Sequence, residues 1–195
     1  MDRKPYIVGI GGTGRDNSST ELALRASLAH ARRLGARTEL FAGADLDLPM
    51  YTGQPPGEKA GRLIEAIRRS DGVLLASPGY HGSISGMVKN ALDYVEELRG
   101  DERPYLEGRA VGSIVCAYGS QAIGTTIVAV RCIVHALRGW PTPAAAGINS
   151  VDLAFDEEGR CTNAAVQQQL ELVARQVCEF GAMYVRMEPC AEMLG

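Results

Sequence analysis

Short apolar segments alternate with amphipathic segments along the whole chain, and this alternation constrains the fold more than any other feature. The apolar segments have the composition of strands buried on both faces and occupy residues 6–10, 38–43, 72–77, 110–118 and 143–149. The amphipathic segments predict helices over residues 20–34, 57–70, 86–98, 122–138 and 162–186. Because strands and helices alternate, we expect an α/β protein: a doubly wound, five-stranded parallel sheet with helices on both faces and strand order 2-1-3-4-5.

Size and composition narrow the class of protein. With 195 residues, 46% of them hydrophobic, the chain can bury one substantial core, and we expect a single domain over residues 1–195. The net charge of −3 argues against nucleic acid or an anionic membrane as the main partner. Five cysteines without a CxxC pair are typical of free thiols in a reducing compartment. Since neither a signal peptide nor a transmembrane run is evident, we expect a cytoplasmic protein.

The loop after the first strand has the composition of a phosphate-binding site. A GxGxxG pattern begins at Gly9, but a hydroxyl-rich stretch over residues 15–20 separates its last glycine from the helix. In a dinucleotide-binding fold the glycines lead straight into the helix, so a dehydrogenase of that type is disfavoured. The stretch instead suits a terminal phosphate, which needs helix amides, hydroxyl groups and a guanidinium. The residues that could supply these donors are Arg15, Ser18, Ser19 and Thr20.

A second loop follows the third strand, at the same predicted edge of the sheet. Pro78 is expected to end the strand, and Gly79 and Gly82 would let the backbone approach a ligand closely. Tyr80 and His81 provide flat side chains against which a ring could lie. Histidine is also a common acid or base near neutral pH, but the polar, glycine-rich setting favours a ring-contact or loop role for His81.

Both loops resemble signatures of the NADPH-dependent FMN reductase family. Residues 12–20, GTGRDNSST, fit the pattern G-S-x-R-x-x-S-x-[NT], with Thr13 in place of the usual serine. The second signature is matched at Ser77, Pro78, Tyr80, Ser83, Gly86, Lys89, Asn90 and Asp93. The chain departs from it at Gly79, where glutamate is frequent, and at His81, where asparagine is frequent.

The resemblance implies a flavodoxin-like fold that binds FMN and uses NAD(P)H as co-substrate. It implies that Thr13, Arg15, Ser18 and Thr20 contact the FMN phosphate, with Ser19 nearby through its backbone. Around the flavin ring it implies contacts from Pro78, Gly79, Tyr80, His81, Gly82 and Ser83, and from a third loop with Tyr118, Gly119 and Ser120. Met50 and Tyr51, in a long connection after the second strand, are expected to line a pocket for an aromatic acceptor.

Each of these assignments has a simpler structural alternative. Ser19 or Thr20 could merely cap the first helix, and Ser120 could cap the fourth. The connection that carries Met50 and Tyr51 could equally be tucked against its own surface. No metal site is expected, because His30 and His135 lack a second ligand at a suitable spacing.

The resemblance implies an oxidoreductase that transfers a hydride from NAD(P)H to FMN and passes electrons to a small molecule. Free flavin, a quinone, an azo or nitro compound and a metal ion are all open as acceptors. Hydride transfer takes place on the flavin ring, so no catalytic side chain is expected beyond a weak case for His81. The alternative is a flavodoxin-type electron carrier without nicotinamide turnover. The apolar helices at 86–98 and 122–138 resemble those that pair in related reductases, which implies a homodimer or homotetramer.

Overall fold

A computed structural model describes residues 3–152 and 154–186 of the chain. Strands and helices alternate through these residues, and two 3₁₀ helices occur at Gly43–Leu46 and Tyr94–Leu98. The strands are β1 (Tyr6–Gly11), β2 (Arg37–Phe41), β3 (Gly72–Tyr80), β4 (Ser83–Ile84), β5 (Ala110–Ala117) and β6 (Trp140–Asn149). The helices are α1 (Ser19–Arg33), α2 (Glu58–Arg69), α3 (Gly86–Asp93), α4 (Ser120–Ala136) and α5 (Ala164–Arg186).

The sheet has the strand order β2-β1-β3-β5-β6, and all four pairings along this path are parallel. Numbered by the five segments of the sequence analysis, this order is 2-1-3-4-5, which confirms the prediction. The short strand β4 lies off the path and pairs antiparallel with the end of β3. Every strand of the parallel path therefore ends at the same edge of the sheet, where the loops found by the sequence motifs also lie.

Two hydrophobic cores cover the two faces of the sheet. Successive residues of β1 alternate between them, so that Val8 and Ile10 point to one core and Ile7 to the other. The first core includes α2, α3 and α4, through residues such as Leu63, Val88 and Val130. The second includes α1 and α5, through residues such as Leu24 and Leu170. The central strands β1, β3 and β5 are buried on both faces, so their sequences are apolar almost throughout. The edge strands β2 and β6 are only partly buried, contrary to the expectation that every strand is covered on both faces.

Strand β3 is longer than predicted, because Pro78 does not end it. The strand continues to Tyr80, and Pro78 stays in register with Cys116 of β5. On the other side, β1 pairs with β3 only as far as Ala76. Pro78 therefore lies beyond the reach of β1, where a missing amide removes no hydrogen bond to that strand.

Two further elements differ in type, or by more than two residues at one end, from the segments that the sequence analysis predicts. The predicted helix over 86–98 is α3 followed by the 3₁₀ helix Tyr94–Leu98, whose Val95 and Leu98 are both fully buried. A spacing of three residues places both on one face of the tighter helix. The strand predicted from 143 begins at Trp140, because β6 is an edge strand in which Pro141 and Pro143 are tolerated.

A buried arginine ties the end of α2 to the start of β5. Arg109 is 1% exposed, and its guanidinium donates to the carbonyl oxygens of Ile67 at 3.0 Å and Arg68 at 2.7 Å. It also donates to the carbonyls of Tyr105 and Glu107. Burial lowers the pKa of Arg109 to about 10. The side chain thus satisfies carbonyl groups at a helix C-terminus that have no intrahelical partner. Among the described residues, no helix combines the length and hydropathy that crossing a bilayer requires.

Replacing Arg109 with methionine should destabilise the fold, because the carbonyls at the end of α2 would lose their donors while staying buried. We expect the Arg109→Met variant to lose about 2–4 kcal/mol of the free energy of unfolding, measured by urea denaturation. Arg99→Met is the matched control, since the Arg99 side chain is 74% exposed and forms a surface ion pair with Glu96. That control should change stability by less than about 1 kcal/mol. Equal losses in the two variants would contradict the structural role of Arg109.

Candidate functional site

The ends of the parallel strands surround a pocket at the carboxyl edge of the sheet. The residues after β1 form one wall, and the ends of β3 and β5 form the other. This is the place where doubly wound α/β proteins bind ligands. The pocket is lined by Thr13, Arg15, Ser18, Ser19, Thr20, Pro78, Gly79, Tyr80, Cys116, Ala117, Tyr118 and Ser150.

The loop after β1 turns away from the sheet directly after Gly11. This residue has φ 146°, and a Cβ atom here would lie 1.9 Å from the carbonyl oxygen of Ala76. Only glycine fits this position, where the loop passes over β3. Beyond it, the Thr13 hydroxyl accepts a hydrogen bond from the Arg15 amide at 3.1 Å. The turn holds Thr13 and Arg15 next to each other on the wall of the pocket.

Helix α1 begins beside this loop, and its N-cap is Ser18. The Ser18 hydroxyl accepts from the Glu21 amide at 3.3 Å, and the first helical hydrogen bond runs from the Leu22 amide to the Ser18 carbonyl. The alternative that Ser19 or Thr20 caps the helix is therefore wrong. The Ser19 and Thr20 amides precede the first helical hydrogen bond and form a donor-rich helix end. Together with the helix dipole they favour an anion at this wall.

The second loop is a tight hairpin between β3 and β4. Tyr80 pairs with Ser83, which leaves a turn of two residues, His81 and Gly82. Both have positive φ, 52° and 79°, as a type I′ turn requires. The Ser77 hydroxyl supports the base of the hairpin by accepting from the Ser85 amide at 3.0 Å. Tyr80 remains 52% exposed, so its ring stands at the rim of the pocket.

Helix α4 supports this hairpin from behind. A Cβ atom at Gly79 would lie 2.7 Å from the Ala117 Cβ and 2.8 Å from the Thr126 Oγ1. Thr126 is fully buried, and its hydroxyl donates to the Ser83 carbonyl at 3.5 Å, a long hydrogen bond. Gly79 therefore has no room for the glutamate that related sequences often carry at this position. The close contact instead fixes the hairpin against α4.

The third loop is anchored by β6. The Asn149 side chain accepts from the Gly119 amide at 3.3 Å and from the Val151 amide at 3.2 Å. Tyr118 lines the pocket and is 77% exposed, and the chain continues through Gly119 into α4, which begins at Ser120. The N-cap of α4 is Gly119, and no side chain caps this helix end. The alternative that Ser120 caps the helix is therefore wrong.

Three lining residues were missed by the sequence analysis: Cys116, Ala117 and Ser150. Ser150 follows the end of β6, and the rule that ligands bind at carboxyl ends of strands could have identified it. Cys116 and Ala117 are the last residues of β5 and look like ordinary core residues in the sequence. Burial raises the pKa of the Cys116 thiol to about 12, so the pocket contains a neutral thiol and not a thiolate.

The predicted acceptor residues Met50 and Tyr51 do not line this pocket. The Tyr51 hydroxyl donates to Glu97 at 2.9 Å, and its ring packs edge-on against Tyr94. The Tyr51 amide donates to Asn90, whose side-chain amide in turn donates to the carbonyls of Leu48 and Pro49. Met50 is 75% exposed. Within residues 3–152 and 154–186, no group of His, Cys, Asp and Glu side chains could hold a metal ion.

The donor set of the pocket fits a phosphate ester that carries a flat ring. One wall offers hydroxyl groups, orphan helix amides and the Arg15 guanidinium, which match a phosphate dianion. The other offers two exposed aromatic rings, Tyr80 of the hairpin and Tyr118 of the third loop. The fold and the pocket together define a flavodoxin-like protein that binds a flavin mononucleotide.

Comparison with known proteins identifies the family. The sequence model of the NADPH-dependent FMN reductase family matches residues 5–152 of the chain. The chain therefore belongs to this family. It is therefore a flavin-dependent oxidoreductase, with FMN as cofactor and NAD(P)H as co-substrate. The NADPH-dependent FMN reductase ArsH of Acidithiobacillus ferrooxidans is 26% identical over 179 residues, covering 92% of this chain and 74% of the relative. The FMN-dependent NADPH-azoreductase of Staphylococcus aureus is 26% identical over 178 residues, covering 87% and 91%.

Solved structures agree with the fold. The apo form of the NADH:FMN oxidoreductase EmoB superimposes with a TM-score of 0.70 at 18% identity, covering 89% of this chain and 90% of that one. A flavodoxin, the WrbA-like protein from Agrobacterium tumefaciens, gives a TM-score of 0.64 at 11% identity, covering 93% and 99%. These likenesses confirm the flavodoxin-like architecture.

The contact between Gly79 and α4 can be tested by adding one methyl group. We expect Gly79→Ala to force Thr126 and the hairpin apart, which should cost about 1–3 kcal/mol of stability and weaken FMN binding. Gly86→Ala is the matched control, because a Cβ atom there meets nothing within 4 Å. Thermal unfolding and FMN titration would check both variants. Unchanged FMN affinity in Gly79→Ala would show that the hairpin does not depend on this contact.

Proposed function

We propose that the phosphate of FMN is bound by the wall formed by the loop after β1 and the start of α1. The ligands would be the hydroxyls of Thr13, Ser18 and Thr20, the Arg15 guanidinium and the backbone of Ser19. The support is chemical, since hydroxyls, orphan amides and one cation converge on one side of the pocket. Arg15 is exposed and carries its guanidinium on a loop, so it can fold over the anion.

We propose that the flavin ring lies between the hairpin and the third loop. Pro78, Gly79 and Tyr80 would contact it from one side and Tyr118 from the other, with His81, Gly82, Ser83, Gly119 and Ser120 shaping these two loops. The backbone amides of the hairpin would face the pyrimidine edge of the ring, where fixed dipoles raise its electron affinity. The hairpin needs no side-chain acid for this role, and His81 serves as a turn residue with positive φ.

We propose that the chain reduces small aromatic molecules with electrons from NAD(P)H. FMN held by these residues would supply the hydride acceptor for NAD(P)H and the electron donor for the next acceptor. The observation that carries this proposal is the exposure of Tyr80 and Tyr118 at the rim, because exposed rings around an open slot suit a flat second substrate. The azoreductase named above supports an azo compound as acceptor, and quinones and free flavin have the same flat shape.

Turnover separates this function from an electron carrier. We expect the purified chain with FMN to oxidise NADPH steadily when an azo dye or a quinone is added. Failure to turn over NADPH or NADH while FMN stays bound would contradict the reductase and favour a flavodoxin-type carrier.

Arg15→Met should weaken FMN binding by about 10- to 100-fold, because one charge-assisted contact to the phosphate is lost. Equilibrium titration followed by flavin fluorescence measures the dissociation constant. Arg33→Met, which removes an exposed arginine from the far end of α1, should leave FMN affinity nearly unchanged. Equal affinity in wild type and Arg15→Met would remove Arg15 from the phosphate site.

We also propose that two chains pair through the outer face of α4. None of the exposed residues of this helix is charged: Ser120, Gln121, Gly124, Thr125, Val128, Cys132, His135 and Ala136. The charged side chain of α4 is Arg131, which is half-buried and donates to the carbonyls of Thr142 and Pro143. Helices exposed to water usually carry fully exposed charges, and a face without them suits burial against a second copy. The face begins beside Gly119 and Ser120, so pairing would bring the second chain close to the flavin ring.

A single lysine on this face should prevent pairing. Val128 is 61% exposed, and Val128→Lys would place a charge in the buried centre of the interface. We expect the wild type to sediment as a dimer or tetramer and the variant as a monomer. Leu34→Lys is the control, because Leu34 is also exposed, at 49%, but lies at the end of α1. A wild-type monomer, or a Val128→Lys variant that still pairs, would contradict this interface.

A further inference from the structure

A buried carboxylate follows directly after the proposed phosphate ligands Ser18, Ser19 and Thr20 in the sequence. Glu21, in the first turn of α1, is 4% exposed and sits three residues after the N-cap Ser18. One of its carboxylate oxygens accepts from the amide of Asn17 at 3.2 Å. Asn17 has φ 55°, a left-handed conformation in the loop that leads into the helix. Glu21 thus holds the last turn of the phosphate loop in its strained shape.

A buried negative charge at this place affects anion binding. Glu21 and a bound phosphate dianion would both occupy the positive end of the α1 dipole, and like charges repel strongly where water is excluded. The carboxylate is neutralised by Arg25, one turn further along the helix, which donates from Nε at 2.8 Å and from Nη2 at 2.6 Å. Arg25 does not line the pocket. Its side chain is 53% exposed and lies behind the carboxylate.

We propose that Arg25 is a positioning residue of the phosphate site that acts through Glu21. The carboxylate shapes the loop by holding Asn17, and Arg25 cancels the charge that this carboxylate would otherwise present to the phosphate. The affinity for FMN therefore depends on a side chain that never touches the cofactor. This inference rests on the proposed phosphate site. It adds that the Glu21–Arg25 ion pair allows a phosphate to bind close to a buried carboxylate.

The ion pair predicts opposite effects for its two members. In Arg25→Met the carboxylate is left without its cation, so we expect the dissociation constant of FMN to rise about tenfold. In Glu21→Gln the side chain keeps an oxygen acceptor for the Asn17 amide but loses its charge, so FMN should bind as tightly as in wild type or more tightly. The double variant removes both charges and should return to within about threefold of wild type, which a thermodynamic cycle measures as coupling.

Riboflavin binding distinguishes a role of Arg25 at the phosphate from a general role in holding the fold. Riboflavin carries the same ring as FMN but no phosphate, so its dissociation constant should change less than twofold in Arg25→Met. Arg32→Met is the matched control for charge, because Arg32 lies two turns further along α1 and donates to Thr38. That variant should bind FMN as the wild type does.

Three outcomes would overturn the inference. FMN affinity within twofold of wild type in Arg25→Met would show that the ion pair does not reach the phosphate. Equal weakening of FMN and riboflavin would show a general loss of structure, and no recovery in the double variant would show that Arg25 does not act through Glu21. An unmutated chain that binds no FMN would instead overturn the proposed function itself.

Discussion

The parallel pairing of β1 with β3 is the constraint on which the rest of the site depends. Its register joins Ile7 to Gly72 and Gly11 to Ala76, so both strands end at one edge of the sheet. The loop proposed to bind phosphate follows β1 after Gly11. The turn of the hairpin follows β3 after Tyr80, four residues beyond Ala76. A cofactor with a phosphate at one end and a flat ring at the other can therefore reach both loops at once.

Much of this arrangement could be predicted from sequence. The apolar segments identified the strands, and their alternation with helices suited the doubly wound order 2-1-3-4-5 that the sheet shows. The two motifs identified the loop after β1 and the hairpin, and residues of both line the same pocket. Details that depend on tertiary packing could not be predicted: the extension of β3 through Pro78, the contact between Gly79 and Thr126, and the capture of Tyr51 by Asn90 and Glu97. Each depends on contacts between residues far apart in the sequence.

Charge at the start of α1 and packing against the hairpin would each support one end of the cofactor in the proposed binding mode. The Glu21–Arg25 pair shapes the loop proposed to bind phosphate. Thr126 of α4 donates a hydrogen bond to Ser83 of the hairpin proposed to contact the ring. The opposite side of α4 is the face proposed to pair with a second chain. One helix thus supports the hairpin on its inner side, and none of the exposed residues on its outer side is charged.

The central claim is that one FMN molecule spans both loops. The most direct test is to follow the backbone amide chemical shifts of the uniformly nitrogen-15-labelled chain by nuclear magnetic resonance during a titration with FMN. We expect the largest shifts in two separate groups of residues, 13–20 and 79–83, with smaller changes at 118–120. Shifts confined to one group, or centred on residues away from the carboxyl edge of the sheet, would contradict the account.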